Sequence, residues 1–188
     1  MSIVITAKTK EGVVMVSDGQ TVESMGRISN LGYKKCYKLN DNLLFGAVGD
    51  ISTIDYVLDI IKRDNEKLSE SIELGYYHII DFFKTINDKV VGLFGEELSV
   101  TFAIASLDKL FNVAFEGKEI IASQEYDMFA IGAECQTAVS MLRSDRLQSY
   151  DLNSVGIVLR NMLKDLSQQN IYIGGEIFTE TLSKGVVQ

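Results

Sequence analysis

Apolar positions along the chain alternate between two periods. Ile3 to Ala7 and Val13 to Val16 are rich in β-branched residues, and the polar stretch Lys8-Thr9-Lys10-Glu11-Gly12 joins them, which predicts a hairpin. Asp18 to Gly32 is polar and glycine-containing, and reads as loop with one short strand. Cys36 to Leu39 and Leu43 to Val48 form a second strand pair, turned at Asn40-Asp41-Asn42. The spacing then becomes three and four. Ile51, Ile54, Val57, Leu58 and Ile61 predict a helix from Asp50 to around Asn65. Tyr76, Ile79, Ile80, Phe83, Ile86, Val90 and Phe94 predict another, with Gly95 as its cap.

Strand character returns at Leu98 to Leu107, Leu110 to Phe115, Ile120 to Ser123 and Met128 to Ile131. Two further helices follow, marked by Cys135, Ala138, Val139 and Leu142 and by Val155, Leu159, Met162 and Leu166. A strand from Glu176 to Leu182 closes the chain. Strands in blocks, rather than alternating with helices, argue against a doubly wound parallel sheet. The order fits an α+β protein: two mostly antiparallel sheets with helix pairs packed outside them, in one domain over residues 1–188.

Composition narrows the function. Of the 188 residues, 46% are apolar and 23% charged, as in an ordinary globular domain with a full core. Pro is absent, so no Pro-rich linker divides the chain. The net charge, 18 minus 26, is -8, and no basic block interrupts it. Nucleic acid and anionic membrane are therefore excluded as expected partners. No window approaches the ~18 apolar residues of a membrane span, and the N-terminus lacks the basic region of a signal peptide. A cytoplasmic location is expected. Cys36 and Cys135 make neither metal-ligand spacing nor a disulfide framework, and a single His leaves no zinc site to build. Both Cys read as small buried hydrophobes, and His78 as a core or interface residue. Glu96-Glu97 and the run Asp64, Glu66, Glu70 read as solvated faces.

The N-terminus carries the chemistry. Ser2 follows Met1, and a Met before a small residue is normally removed. Removal leaves Ser2 with a free α-amine beside its own hydroxyl. Such an amine titrates near 7.7–8.0 and can act as general base for that hydroxyl without a His.

Lys10-Glu11-Gly12-Val13-Val14-Met15-Val16-Ser17-Asp18, followed by Gly19-Gln20, resembles the second-strand signature of proteasome β-subunits and of the bacterial HslV peptidase. In that family an acidic residue lies sixteen positions after the N-terminal nucleophile, and counting back from Asp18 reaches Ser2. Tyr33-Lys34-Lys35-Cys36-Tyr37-Lys38-Leu39 resembles the stretch holding the family's catalytic lysine, placed on Lys35. Gly46-Ala47-Val48-Gly49-Asp50 resembles the segment that opens the first helix, its first glycine giving the oxyanion N–H. Met128 to Gly132 resembles the strand before the third helix, and Tyr150 to Leu182 follows the last helix and strand.

The resemblance implies a four-layer αββα sandwich and an N-terminal-nucleophile peptidase. Its expected catalytic residues are Ser2, Asp18, Lys35, Gly46 and Asn170, with no cofactor and no metal. It implies peptide-bond hydrolysis through an acyl-Ser2 intermediate, in stacked or open rings of identical subunits, on polypeptide substrates fed in many cases by an ATP-dependent unfoldase. Leu44 and Phe45 are expected as a wall of the substrate pocket, beside loops such as Thr21 to Asn30.

Three positions depart from the pattern. The family's serine after the glycine that follows Ile131 falls on Ala133; its aspartate in the last helix-to-strand connection falls on Asn170, and a nearby serine on Ile173. Ser167, Glu134 or Thr137 could stand in for them. A catalytically inactive structural subunit, favoured by those departures and by any retention of Met1, is the second reading. A small-substrate amidase with the same N-terminal chemistry is the third.

Overall fold

In the computed structural model, which describes residues 2–23, 26–144 and 147–184, two antiparallel sheets lie between two sets of helices. The strands are β1 (Ile3–Lys8), β2 (Gly12–Asp18), β3 (Thr21–Val22), β4 (Ile28–Asn30), β5 (Cys36–Asn40), β6 (Leu43–Gly49), β7 (Ser99–Ala105), β8 (Leu110–Glu116), β9 (Glu119–Glu125), β10 (Met128–Gly132) and β11 (Ile177–Ser183). The helices are α1 (Ile51–Arg63), α2 (Asn65–Leu74), α3 (Tyr76–Phe94), α4 (Cys135–Ser144) and α5 (Leu152–Gln169). One sheet runs β10-β1-β2-β11 and the other β5-β6-β7-β8-β9, while β3 and β4 form a small ribbon of their own.

The pleat of each strand sorts its side chains between layers. Ile3, Ile5, Ala7, Val14 and Val16 face a core shared with Ala138, Leu142, Leu159 and Leu163 of α4 and α5. Val4, Val13 and Met15 face the other way, onto Leu44, Ala103 and Ala105 of the second sheet. That sheet turns Phe45, Phe102, Phe111 and Phe115 outward to Val57, Ile61, Phe83 and Val90 of α1 and α3. The layers are therefore helix, sheet, sheet, helix. Both faces of β1 and β2 are covered, which explains their near-continuous apolar runs.

The expected strands and long helices all form. Asp50 starts α1 by accepting from Thr53 N–H at 2.9 Å and Thr53 Oγ1 at 3.0 Å. Where the sequence suggested one helix followed by a solvated acidic run, the chain breaks at Asp64 and begins α2, which buries Leu68 and Ile72. The Thr21–Asn30 region holds two short strands instead of one. His78 is exposed on α3, not part of the core. No helix among the described residues is long and apolar enough to cross a membrane.

Candidate active site

Asp18 ends β2 and Lys35 precedes β5, so each sheet contributes one member of an ion pair that is almost fully buried. Lys35 Nζ donates to Asp18 Oδ1 at 2.8 Å and also to the Gln20 carbonyl, and the side chains are 2% and 1% exposed. The Asp18 carboxylate has further donors: Ile3 N–H at 2.9 Å on Oδ1, and Gln20 and Gly174 N–H at 3.3 and 3.4 Å on Oδ2. A buried carboxylate is tolerable only when its lone pairs are used in this way. Burial pulls the Lys35 ammonium below its ordinary range, and the Asp18 charge and hydrogen bond oppose that pull.

Ser2, just before β1, and Lys35 open onto the same small cavity of about 40 Å³. Its walls come from Thr21 and Val22 of β3, Tyr33, Ala47 and Gly49 of β6, and Ile51 and Ile54 of α1. Tyr33 Oη donates to Asp55 Oδ1 at 2.7 Å, and burial with that acidic neighbour pushes the phenol well above its usual range. The Ser2 carbonyl is held by Ala133 N–H at 2.8 Å. This contact is close because Gly132 has φ of 93°, where a Cβ would stand 1.9 Å from the Ser2 oxygen. Met1 lies outside the described residues.

Of the residues expected from the sequence, Ser2, Asp18 and Lys35 are brought together. Gly46 is not. It sits in the middle of β6 between the sheets, where a Cβ would meet Val4 Cγ1 at 2.7 Å and Met15 Sδ at 2.8 Å. Neighbouring residues of a strand point their N–H groups to opposite edges. Ala47 N–H donates toward Lys35 O at 2.9 Å, so the Gly46 N–H faces β7, opposite Ala103. Ala47 and Gly49 are the β6 residues that border the cavity. Leu44 and Phe45 do not form its wall: the pleat sends one between the sheets and the other under α3.

Asn170 caps the C-terminus of α5. Its amide donates to Glu134 Oε1 at 3.0 Å, and its carbonyl oxygen Oδ1 accepts from Tyr172 N–H at 2.9 Å. Ile173 is buried in the core under α4 and α5, with no polar group to offer. Of the residues considered as stand-ins, Ser167 turns back onto the Lys164 carbonyl, while Thr137 donates to Glu134 Oε2 at 2.9 Å.

A roomier hollow of about 420 Å³ borders α2 and the β7–β8 turn. Its Lys109 is engaged with the Ile72 and Glu73 carbonyls, and no nucleophile there is paired with a base. Among the described residues no cluster of three or more His, Cys, Asp or Glu side chains is placed to hold a metal ion.

The fold has close relatives in shape. The crystal structure of eukaryotic HslV from Trypanosoma brucei superposes with a TM-score of 0.71 at 15% identity, covering 97% of this chain and 99% of that one. No curated protein sequence matches the chain. The family model for the proteasome subunit, however, matches residues 2–181, the span that holds Ser2, the Asp18–Lys35 pair and both sheets. The chain belongs to the proteasome subunit family.

Proposed function

We propose that the chain is a peptidase subunit whose nucleophile is the hydroxyl of Ser2 once Met1 has been removed. The observation that carries this reading is the buried Asp18–Lys35 pair opening, with Ser2, onto one cavity. The freed α-amine takes the hydroxyl proton as Oγ attacks the substrate carbonyl carbon. The Lys35 cation stabilises the forming alkoxide. The oxyanion falls at the β6 edge, where the N–H of Gly49 is the donor we assign in place of Gly46, the Ala47 N–H being committed to the Lys35 carbonyl. The tetrahedral intermediate collapses as the C–N bond breaks, and the leaving amine takes the proton from the α-ammonium. A water, deprotonated by the same amine, then cleaves the Ser2 ester and restores the hydroxyl. Thr21, Val22, Ile51 and Ile54 bound the space for the substrate side chain, which favours small apolar groups.

By family, the subunit would assemble with copies of itself into a ring that encloses these cavities and receives unfolded polypeptide from an ATP-dependent unfoldase. The second reading is a subunit without turnover, and one observation favours it: Ala133 and Ile173, where the family pattern has serines, pack into the apolar core and have no side-chain hydrogen-bonding group. A small-substrate amidase has no such observation behind it.

Intact mass after exposure to a peptide electrophile directed at N-terminal nucleophiles separates the two. One adduct on a chain lacking Met1, abolished by Ser2→Ala, is the expected result. A chain freed of Met1 that takes no adduct overturns the peptidase reading in favour of the inactive subunit.

A further inference from the structure

The corner between β10 and α4 has a feature that helix initiation does not explain. Glu134, with φ of 55°, is the one non-glycine residue at positive φ among those described. That conformation is costly for a side chain larger than Asn or Asp. Its carboxylate is also spanned from two sides, by Thr137 Oγ1 at 2.9 Å and by the Asn170 amide at 3.0 Å. Asn170 thereby ties the end of α5 to the start of α4.

This corner faces the Ser2 nitrogen. β1 pairs with β10 with Ile3 opposite Gly132, which sets Ser2 opposite Ala133. In an extended strand the N–H and C=O of one residue point to the same edge. Because the Ser2 carbonyl is bound by Ala133 N–H at 2.8 Å, its nitrogen also lies on the edge toward Ala133 and Glu134. The cavity that Ser2 borders takes Lys35, ahead of β5, with Asp18 of β2 paired to it, and Tyr33, with Asp55 of α1 behind it, while Glu134 follows directly on the residue opposite Ser2. Asp18 is already committed to Lys35 and three backbone N–H groups. Glu134 is the carboxylate next in the chain to the residue opposite Ser2, and each of its oxygens, held by one donor, keeps a lone pair to offer.

We propose that Glu134 is a positioning residue for the Ser2 α-amine, orienting it and stabilising its protonated form, and that Asn170 and Thr137 hold the Glu134 carboxylate in place for that task. The inference rests on Ser2 being the N-terminal residue of the working protein. It supplies locally what Ala133 and Ile173 lack.

A carboxylate beside an amine raises the amine's pKa. The test measures that pKa directly, in full-length protein made to begin at Ser2 by cleavage of an N-terminal fusion. Trace acetic anhydride labels the α-amine at a series of pH values, and the N-terminal peptide is read by mass spectrometry. Glu134→Gln, which keeps acceptor and size, should lower the amine pKa by about half a unit to one unit. Asn170→Ala should lower it less, and Glu96→Gln, at the far Lys118 contact, should not move it. An unchanged pKa in folded Glu134→Gln overturns the proposal; if that variant does not fold, an unchanged pKa in Asn170→Ala does so. Failure of the wild-type Ser2 hydroxyl to take an electrophile would overturn the peptidase reading alone, since the amine pKa still decides the role of Glu134.

Discussion

Asp18 Oδ1 accepts the backbone N–H of Ile3 at 2.9 Å, so one carboxylate oxygen fixes the start of β1 and, at 2.8 Å, the Lys35 ammonium. The residue that sets the charge of the site therefore also sets where Ser2 begins. Asp18→Asn should damage both. Removing one partner of a buried pair leaves an uncompensated charge, at a cost of about 3–5 kcal/mol. A matching drop in urea midpoint, together with loss of Ser2 acylation by about 100-fold or more, is the expected outcome.

The pH dependence of acylation should have an alkaline limb set by Lys35. Its role requires the cation, which is lost as pH rises through its pKa. Burial lowers that pKa from the usual 10.5, so the fall in rate should begin on the near side of that value. Lys35→Met should be slow at every pH and show no such limb. Rates of Ser2 adduct formation between pH 6 and 11 check this.

Gly132 and Gly26 both have positive φ, at 93° and 78°, but only one has a neighbour in the way. Gly26→Ala meets nothing within 4 Å and should cost only backbone strain, about 1 kcal/mol. Gly132→Ala would drive a methyl into the Ser2 carbonyl, displacing Ser2 from the cavity. Thermal melting should report a larger loss for Gly132→Ala, and adduct formation should fail in it while persisting in Gly26→Ala.

The two cysteines should separate cleanly under alkylation. Cys36 is buried beneath Ser17 Oγ, 3.4 Å from its sulfur, and burial pushes its thiol up to about 11. Cys135 is partly exposed at the start of α4. Iodoacetamide at pH 8 should add one carbamidomethyl group per native chain, on Cys135, and a second only in denaturant. Mass spectrometry of the two peptides reads the result.

The two sheets with helices outside them were legible in the apolar periodicity, and the Asp18–Lys35 pair in the resemblance of the segments that carry the two residues. Near-continuous apolar runs in β1 and β2 mark strands covered on both faces, whereas the sixteen-residue step from Ser2 to Asp18 has meaning only through the family resemblance. Other features depend on register, which no local pattern states. Whether Gly46 or its neighbours turn an N–H to the cavity is decided by the pairing of Ala47 with Lys35. The same pleat removed Leu44 and Phe45 from the pocket. α2 was hidden because only Leu68 and Ile72 are buried in its ten residues, too few to set a period. The Glu134–Asn170 contact joins residues 36 apart whose sequence neighbourhoods give no sign of meeting.

The pairing of β1 with β10 and of β2 with β11 has a consequence for synthesis. The first 35 residues hold Ser2, Asp18 and Lys35, yet the sheet that carries Ser2 and Asp18 is completed only by residues 128–132 and 177–183. Such distant pairings form slowly and cannot form at all until the partner strands have left the ribosome. A growing chain thus holds the β1–β2 hairpin with both of its outer edges unpaired through most of translation. The sheet is whole only with β11, when nearly all of the chain has been made.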